Sequence, residues 1–276
     1  MNWVEITFLL TLLVYCLAAV SSLIALIGRR QHFHRLAYCS VLVAFILHTV
    51  LLLGSVISSN IPEATRAFFL VPLVWLLVLA TLTMRHWLRI DMLLLFATPI
   101  AFTLLFVSLV LQSTSATFPA TLTGPMLYLH LICIFTGIGM ITIAAGAGCF
   151  FLWQERNIKC KTPLTGFSKD LPALNALDKI NAISALIGFP AYTLGLICGV
   201  IWAKVNWGGY LSGDFKEIIT IFIWVMYAGL FRQRQAMGWR GRKPALMAIC
   251  LFLVSIFSLL VVNSFFYTHH GFARQL

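Results

Sequence analysis

Apolar residues run along this chain in long unbroken stretches, parted by short clusters of polar and basic positions. Eight stretches stand out, at about 5–27, 37–57, 67–84, 92–112, 126–152, 183–203, 217–231 and 245–266. Most approach the ~20 residues that a helix needs to cross a hydrocarbon core of about 30 Å. None alternates apolar and polar positions as a membrane β-strand must. In lipid a segment has to pair its own backbone polar groups, so each stretch reads as a helix. The pattern predicts an all-α, polytopic membrane protein with about eight transmembrane helices, forming one membrane domain over residues 1–276.

The polar clusters set a direction. Fifteen of the 19 Lys and Arg fall in alternate connections: Arg29, Arg30 and Arg35; Arg85 and Arg89; Arg156, Lys159, Lys161, Lys169 and Lys179; Arg232, Arg234, Arg240, Arg242 and Lys243. The other connections and the C-terminus keep Arg66, Lys204, Lys216 and Arg274. Basic loops stay in the cytoplasm, so both termini are expected on the outer face. The first stretch follows Glu5 without a basic lead and is long enough to span, so it is expected to persist as a helix rather than be cleaved. The net charge of +11 is thereby read as topology control, with no nucleic-acid partner implied.

Smaller signals refine the spans. Pro72, Pro99 and Pro190 lie inside apolar stretches, where kinks are expected. Gly195 and Gly199 form a GxxxG, and the fifth stretch is rich in Gly and Ala; both suit close helix packing. In the long connection 154–182, Leu171, Leu174, Leu177 and Ile180 recur at three-residue steps. That spacing predicts a helix on the inner membrane face, with a plain loop as the alternative.

With 61% apolar and 10% charged residues, the chain offers little catalytic chemistry. All eight acidic residues are expected in loops or at span ends, which removes the carboxylate pairs of glycoside hydrolysis and argues against an ion-coupled transporter. The seven cysteines hold no CxxC pair, so neither a disulfide framework nor a dithiol motif is expected. Histidines carry more. His48 falls midway through the second stretch, where an ionisable group is either functional or hydrogen-bonded between helices. His130 lies just inside the outer end of the fifth stretch, and His269 and His270 lie just beyond the outer end of the eighth. Between them in sequence, the 207–217 loop opens on the same face with Trp207, Tyr210 and Phe215. Two imidazoles beside an aromatic patch suit a haem; two unconnected interfacial histidines are the alternative. Asp214 and Glu217 are spaced as a capping box.

The loop Trp207–Glu217, WGGYLSGDFKE, resembles the outward tryptophan-rich loop of the cytochrome c assembly family, the haem-handling membrane proteins of CcsA, CcmC and HemX type. Trp207, Gly208, Tyr210, Ser212, Asp214, Lys216 and Glu217 match that family's WGxYWSWDPKE, and GWRGRK at 238–243 matches its basic exit. LHLICIFTGIG at 129–139 is similar to the span carrying the family's first outward histidine, and VNSFFYTHHGFA at 262–273 to the segment carrying the second. The resemblance is strongest over 127–273. It implies His130 and His270 as axial ligands of a non-covalent haem b, with Trp207, Tyr210, Asp214 and Phe215 at the same site and His48 as a candidate for a second haem histidine. It further implies no enzymatic activity, residence in the bacterial inner membrane, and partners in cytochrome c assembly or haem synthesis. Leu211 and Gly213 replace two loop tryptophans, Phe215 the proline, and Arg232 an inner histidine. These departures place the chain nearest the HemX-like branch, where a regulatory or structural role without functional haem is the alternative.

Overall fold

The computed structural model of the chain describes residues 3–28, 31–57, 69–90, 92–111, 125–161, 172–209 and 215–262. Eight α-helices occupy them: α1 (Trp3–Gly28), α2 (Gln31–Ile57), α3 (Leu70–Leu88), α4 (Met92–Leu111), α5 (Pro125–Lys159), α6 (Leu174–Trp207), α7 (Phe215–Gln235) and α8 (Arg242–Phe257). The last runs into a π-helical turn, Ser258–Val262. Among the described residues there is no strand. The protein is a polytopic, all-helical membrane protein, and α1–α6 and α8 with its π-helical turn are each long and apolar enough to cross a bilayer. In α7 the uncharged run between Glu217 and Arg232 reaches only about 21 Å at 1.5 Å per residue.

Two compact units organise the helices: Met1–Ser113 with Trp153–Ala173, and Thr114–Leu152 with Leu174–Leu276. In the first, α1 packs on α2 and α4, and α3 on α4 and α2. Its interior is apolar but stitched by hydroxyls. Thr7, Thr11, Thr49 and Thr81 each donate to the carbonyl four residues earlier in their own helix, at 2.7–2.8 Å, so that these four hydroxyl protons do not face hydrocarbon unpaired. Trp75 Nε1 donates across to Thr49 Oγ1 at 2.9 Å while its ring stacks on Phe45. Thr98 donates to Ser22 between α4 and α1.

The second unit is built on small residues. A Cβ on Gly137 would meet Tyr192 at 2.8 Å, one on Gly195 would meet Ile134 at 2.7 Å, and one on Gly199 would meet His130 at 2.6 Å. Rising numbers on α5 thus meet falling numbers on α6, and the two helices lie antiparallel with their backbones in near contact. This is the close packing expected of the GxxxG and of the glycine-rich fifth stretch. Gly148 lets α5 approach Ala245 of α8 in the same way. α7 lies along α6, with Trp224 Nε1 donating to Thr193 Oγ1 at 3.0 Å and Tyr227 Oη donating to the Ser184 carbonyl at 3.3 Å.

Two expectations are corrected. Leu174, Leu177 and Ile180 do not belong to a separate surface helix. They open α6, and Leu177 and Ile180 are buried, because their three-residue spacing continues the apolar face of the span that follows; Leu171 lies outside the described residues. Pro72 sits in the first turn of α3, where its missing N–H leaves no hydrogen bond broken. Pro99 and Pro190 are inside α4 and α6, as expected.

Candidate functional site

α5 carries His130 in its second turn, half-buried against α6. The imidazole Nδ1 lies 2.7 Å from the Gly195 carbonyl oxygen. A carbonyl only accepts, so Nδ1 bears the proton and Nε2 keeps its lone pair. Inside a helix this carbonyl already serves the amide four residues on, and its second lone pair takes the imidazole. Gly199 lies against the ring, with its absent Cβ position 2.6 Å from Nδ1 and 2.7 Å from Cε1.

The end of α6 leads into the loop that the sequence singles out. Trp207 closes the helix and Gly208 follows with φ of 77°, a left-handed conformation that a side chain would strain. Its N–H donates to the Lys204 carbonyl at 3.1 Å, and Lys204 Nζ returns to the Gly208 carbonyl at 2.8 Å. The tryptophan–glycine pair therefore marks a helix stop. α7 begins at Phe215, which is exposed, and Lys216 lies within electrostatic range of the His130 imidazole. The start of α7 and the ring of His130 thus share one end of the unit. Tyr210, Asp214, His269 and His270, the side chain of Trp207, and hence the capping partner of Glu217, lie outside the described residues.

The opposite end of the same unit holds a charged knot. Arg234 is buried, and its Nη1 donates to Asp178 Oδ1 at 2.8 Å and to the Trp239 carbonyl at 2.9 Å. Its Nη2 donates to the Asp178 backbone carbonyl. The same carboxylate oxygen accepts the Gly241 N–H at 2.8 Å. Gly238 and Gly241 take φ of 61° and 80°, bending the GWRGRK segment back over α7, and Lys243 rests on the Trp239 ring at 4.7 Å. One ion pair ties the beginnings of α6 and α8 to the end of α7.

In the other unit His48 is completely buried. Its Nδ1 lies 3.4 Å from Tyr15 Oη and the two rings meet edge to face. Nε2 has no hydrogen-bond partner among the described residues, although the Val71 backbone approaches the ring.

Residues 3–270 match the family of the Cytochrome C assembly protein, nearly the whole chain. The chain belongs to the cytochrome c assembly protein family. Relatives include cytochrome c biogenesis proteins CcsA: one from Prochlorococcus marinus, 46% identical over 87 residues, and one from Crocosphaera subtropica, 34% identical over 123 residues. A third, from Rippkaea orientalis, is 41% identical over 93 residues. These alignments take in 32%, 45% and 33% of this chain, and 28%, 36% and 27% of the relatives. The matched part thus spans about a third of the length of the curated relatives.

Within this cytochrome c assembly protein, sequence reasoning singled out His130 as a candidate but not what holds it. Gly195 and Gly199 read as helix packing alone. Yet Gly199 stands as far from the outer end of its span as His130 stands from that of the preceding one, a depth match visible in the sequence. Asp178 and Arg234 gave no such signal, being two charges among many in basic connections.

Proposed function

We propose that this member of the cytochrome c assembly family is a haem-binding protein of the bacterial inner membrane, presenting haem on the outer face between His130 and His270. The observation that carries the reading is the orientation of His130. Its Nδ1–H is committed to the Gly195 carbonyl, which leaves Nε2 as the available ligand atom, and metal-bound histidines commonly donate their other ring nitrogen to such a carbonyl. That nitrogen suits a haem iron, and His270, the other expected ligand, lies outside the described residues. When bound, the haem would supply a redox-active iron with axial positions for two imidazoles. Trp207, Tyr210 and Phe215 would cover the macrocycle, and Asp214 would hold the loop at the start of α7. His48, with Nε2 free of partners among the described residues, is the candidate for a second haem site.

The chain's own task is to bind and orient. It contributes no covalent bond to haem b, and attachment to a cytochrome belongs to partner proteins of cytochrome c assembly or haem synthesis. The replacement of two loop tryptophans by Leu211 and Gly213 favours a second reading, a HemX-like regulator or structural subunit acting without haem.

One spectrum separates the two. The protein expressed with ample haem and purified in mild detergent is expected to show a stoichiometric Soret band. That band should weaken or shift in both His130→Ala and His270→Ala. A folded wild-type protein without haem would overturn the ligand assignment and leave the regulator.

A further inference from the structure

We infer that Gly195 and Gly199 are positioning residues for His130, a built seat on α6 that fixes the imidazole's tautomer and direction. The inference rests on the haem reading for its purpose and on the α5–α6 contact for its geometry.

Three observations converge on one ring. The Gly195 carbonyl receives Nδ1–H at 2.7 Å. Gly195 also lacks the Cβ that would strike Ile134 Cγ1 at 2.7 Å and the Ile134 backbone N at 2.9 Å, so α5 comes close enough for that bond to form. One turn further along α6, Gly199 lacks the Cβ that would lie 2.6 Å from Nδ1 and 2.7 Å from Cε1. Real carbon atoms do not approach so closely. Any side chain at 199 therefore moves the ring, and a moved ring loses the short bond to Gly195.

The seat has a chemical consequence. A neutral imidazole has two tautomers, and only the form protonated at Nδ1 offers Nε2 to a metal. The Gly195 carbonyl selects that form. Elsewhere such partners contribute about 10–100-fold to metal affinity. A further tight glycine contact between these two helices, Gly137 against Tyr192 at 2.8 Å, lies about two helical turns along α5 from His130 and supplies a packing control.

The test compares Gly199→Ala with Gly137→Ala in the full chain. The first readout needs no haem: nitrogen-15 spectra of histidine-labelled protein in lipid bilayers, with the His130 signal identified by its loss in His130→Gln. Wild type and Gly137→Ala should show His130 protonated at Nδ1, whereas Gly199→Ala should lose that tautomer or mix it. The second readout is haem titration, where Gly199→Ala should weaken binding by about 10–100-fold and shift the Soret band toward that of His130→Ala. If Gly199→Ala alone does not accumulate, adding His130→Ala should restore it, since a methyl then occupies the vacated ring position; continued failure overturns the inference. An unchanged tautomer together with unchanged haem affinity in Gly199→Ala overturns it as well. A wild type that holds the Nδ1 tautomer but takes up no haem overturns the haem reading and leaves the seat standing.

Discussion

Arg234 shows how much one side chain decides. Its side chain is 2% exposed and Asp178 13%, so both charges have left water and neither can be removed alone without stranding the other. Breaking a buried pair from one side costs about 3–5 kcal/mol, whereas replacing both partners with apolar groups is often close to neutral. Arg234→Met is therefore expected to lower unfolding stability in detergent by about that amount, and Asp178→Leu with Arg234→Met to recover most of it. Arg234→Lys should rescue little. The guanidinium reaches Asp178 Oδ1, the Asp178 carbonyl and the Trp239 carbonyl together, and a lysine ammonium lacks that planar fork. A lysine variant as stable as the wild type would show that charge alone, and not the fork, holds the knot.

At the scale of helices, α5, α6 and α7 meet where glycine makes room. A Cβ on Gly188 would lie 1.7 Å from Tyr227 Oη and 2.6 Å from Met140 Cβ, so one position governs contacts with both neighbours. Gly188→Ala should destabilise the protein severely, and Tyr227→Phe in the same chain should relieve part of the loss by removing the oxygen; thermal unfolding of the two variants checks this. No relief would place the conflict at Met140 and the ring carbon of residue 227, which lies 2.9 Å from that Cβ position. Element existence was legible because apolar run length answers directly to bilayer thickness. Element ends were less so. Once a helix leaves lipid its hydrogen bonds are free to continue, so α5 carries on through Arg156 and Lys159 and α6 begins at Leu174. His130 was legible as a candidate because the span pattern puts it on one expected face with His270 and the aromatic 207–217 loop. The carbonyl that orients it was not, because a backbone acceptor looks the same at every position until two helices are set in register.

For the whole molecule, the sidedness of the membrane decides what the His130 site can serve, and a single helix can report it. α5 has 35 residues, about 50 Å at 1.5 Å per residue, against a hydrocarbon core of about 30 Å. Both of its ends must therefore emerge into headgroups or water. Met126 is exposed at one end and Cys160 is exposed just past the other. Arg156 and Lys159 lie in the last turn of α5, beside Cys160, and basic residues at a span end favour the cytoplasm, so that side is expected to be the inner one. In a chain stripped of its other cysteines, a membrane-impermeant maleimide applied to intact cells should label Met126→Cys and should reach Cys160 only after permeabilisation. The reverse pattern would place His130 on the cytoplasmic face. The site could then still take haem where it is made, but it could not present it to a cytochrome maturing outside.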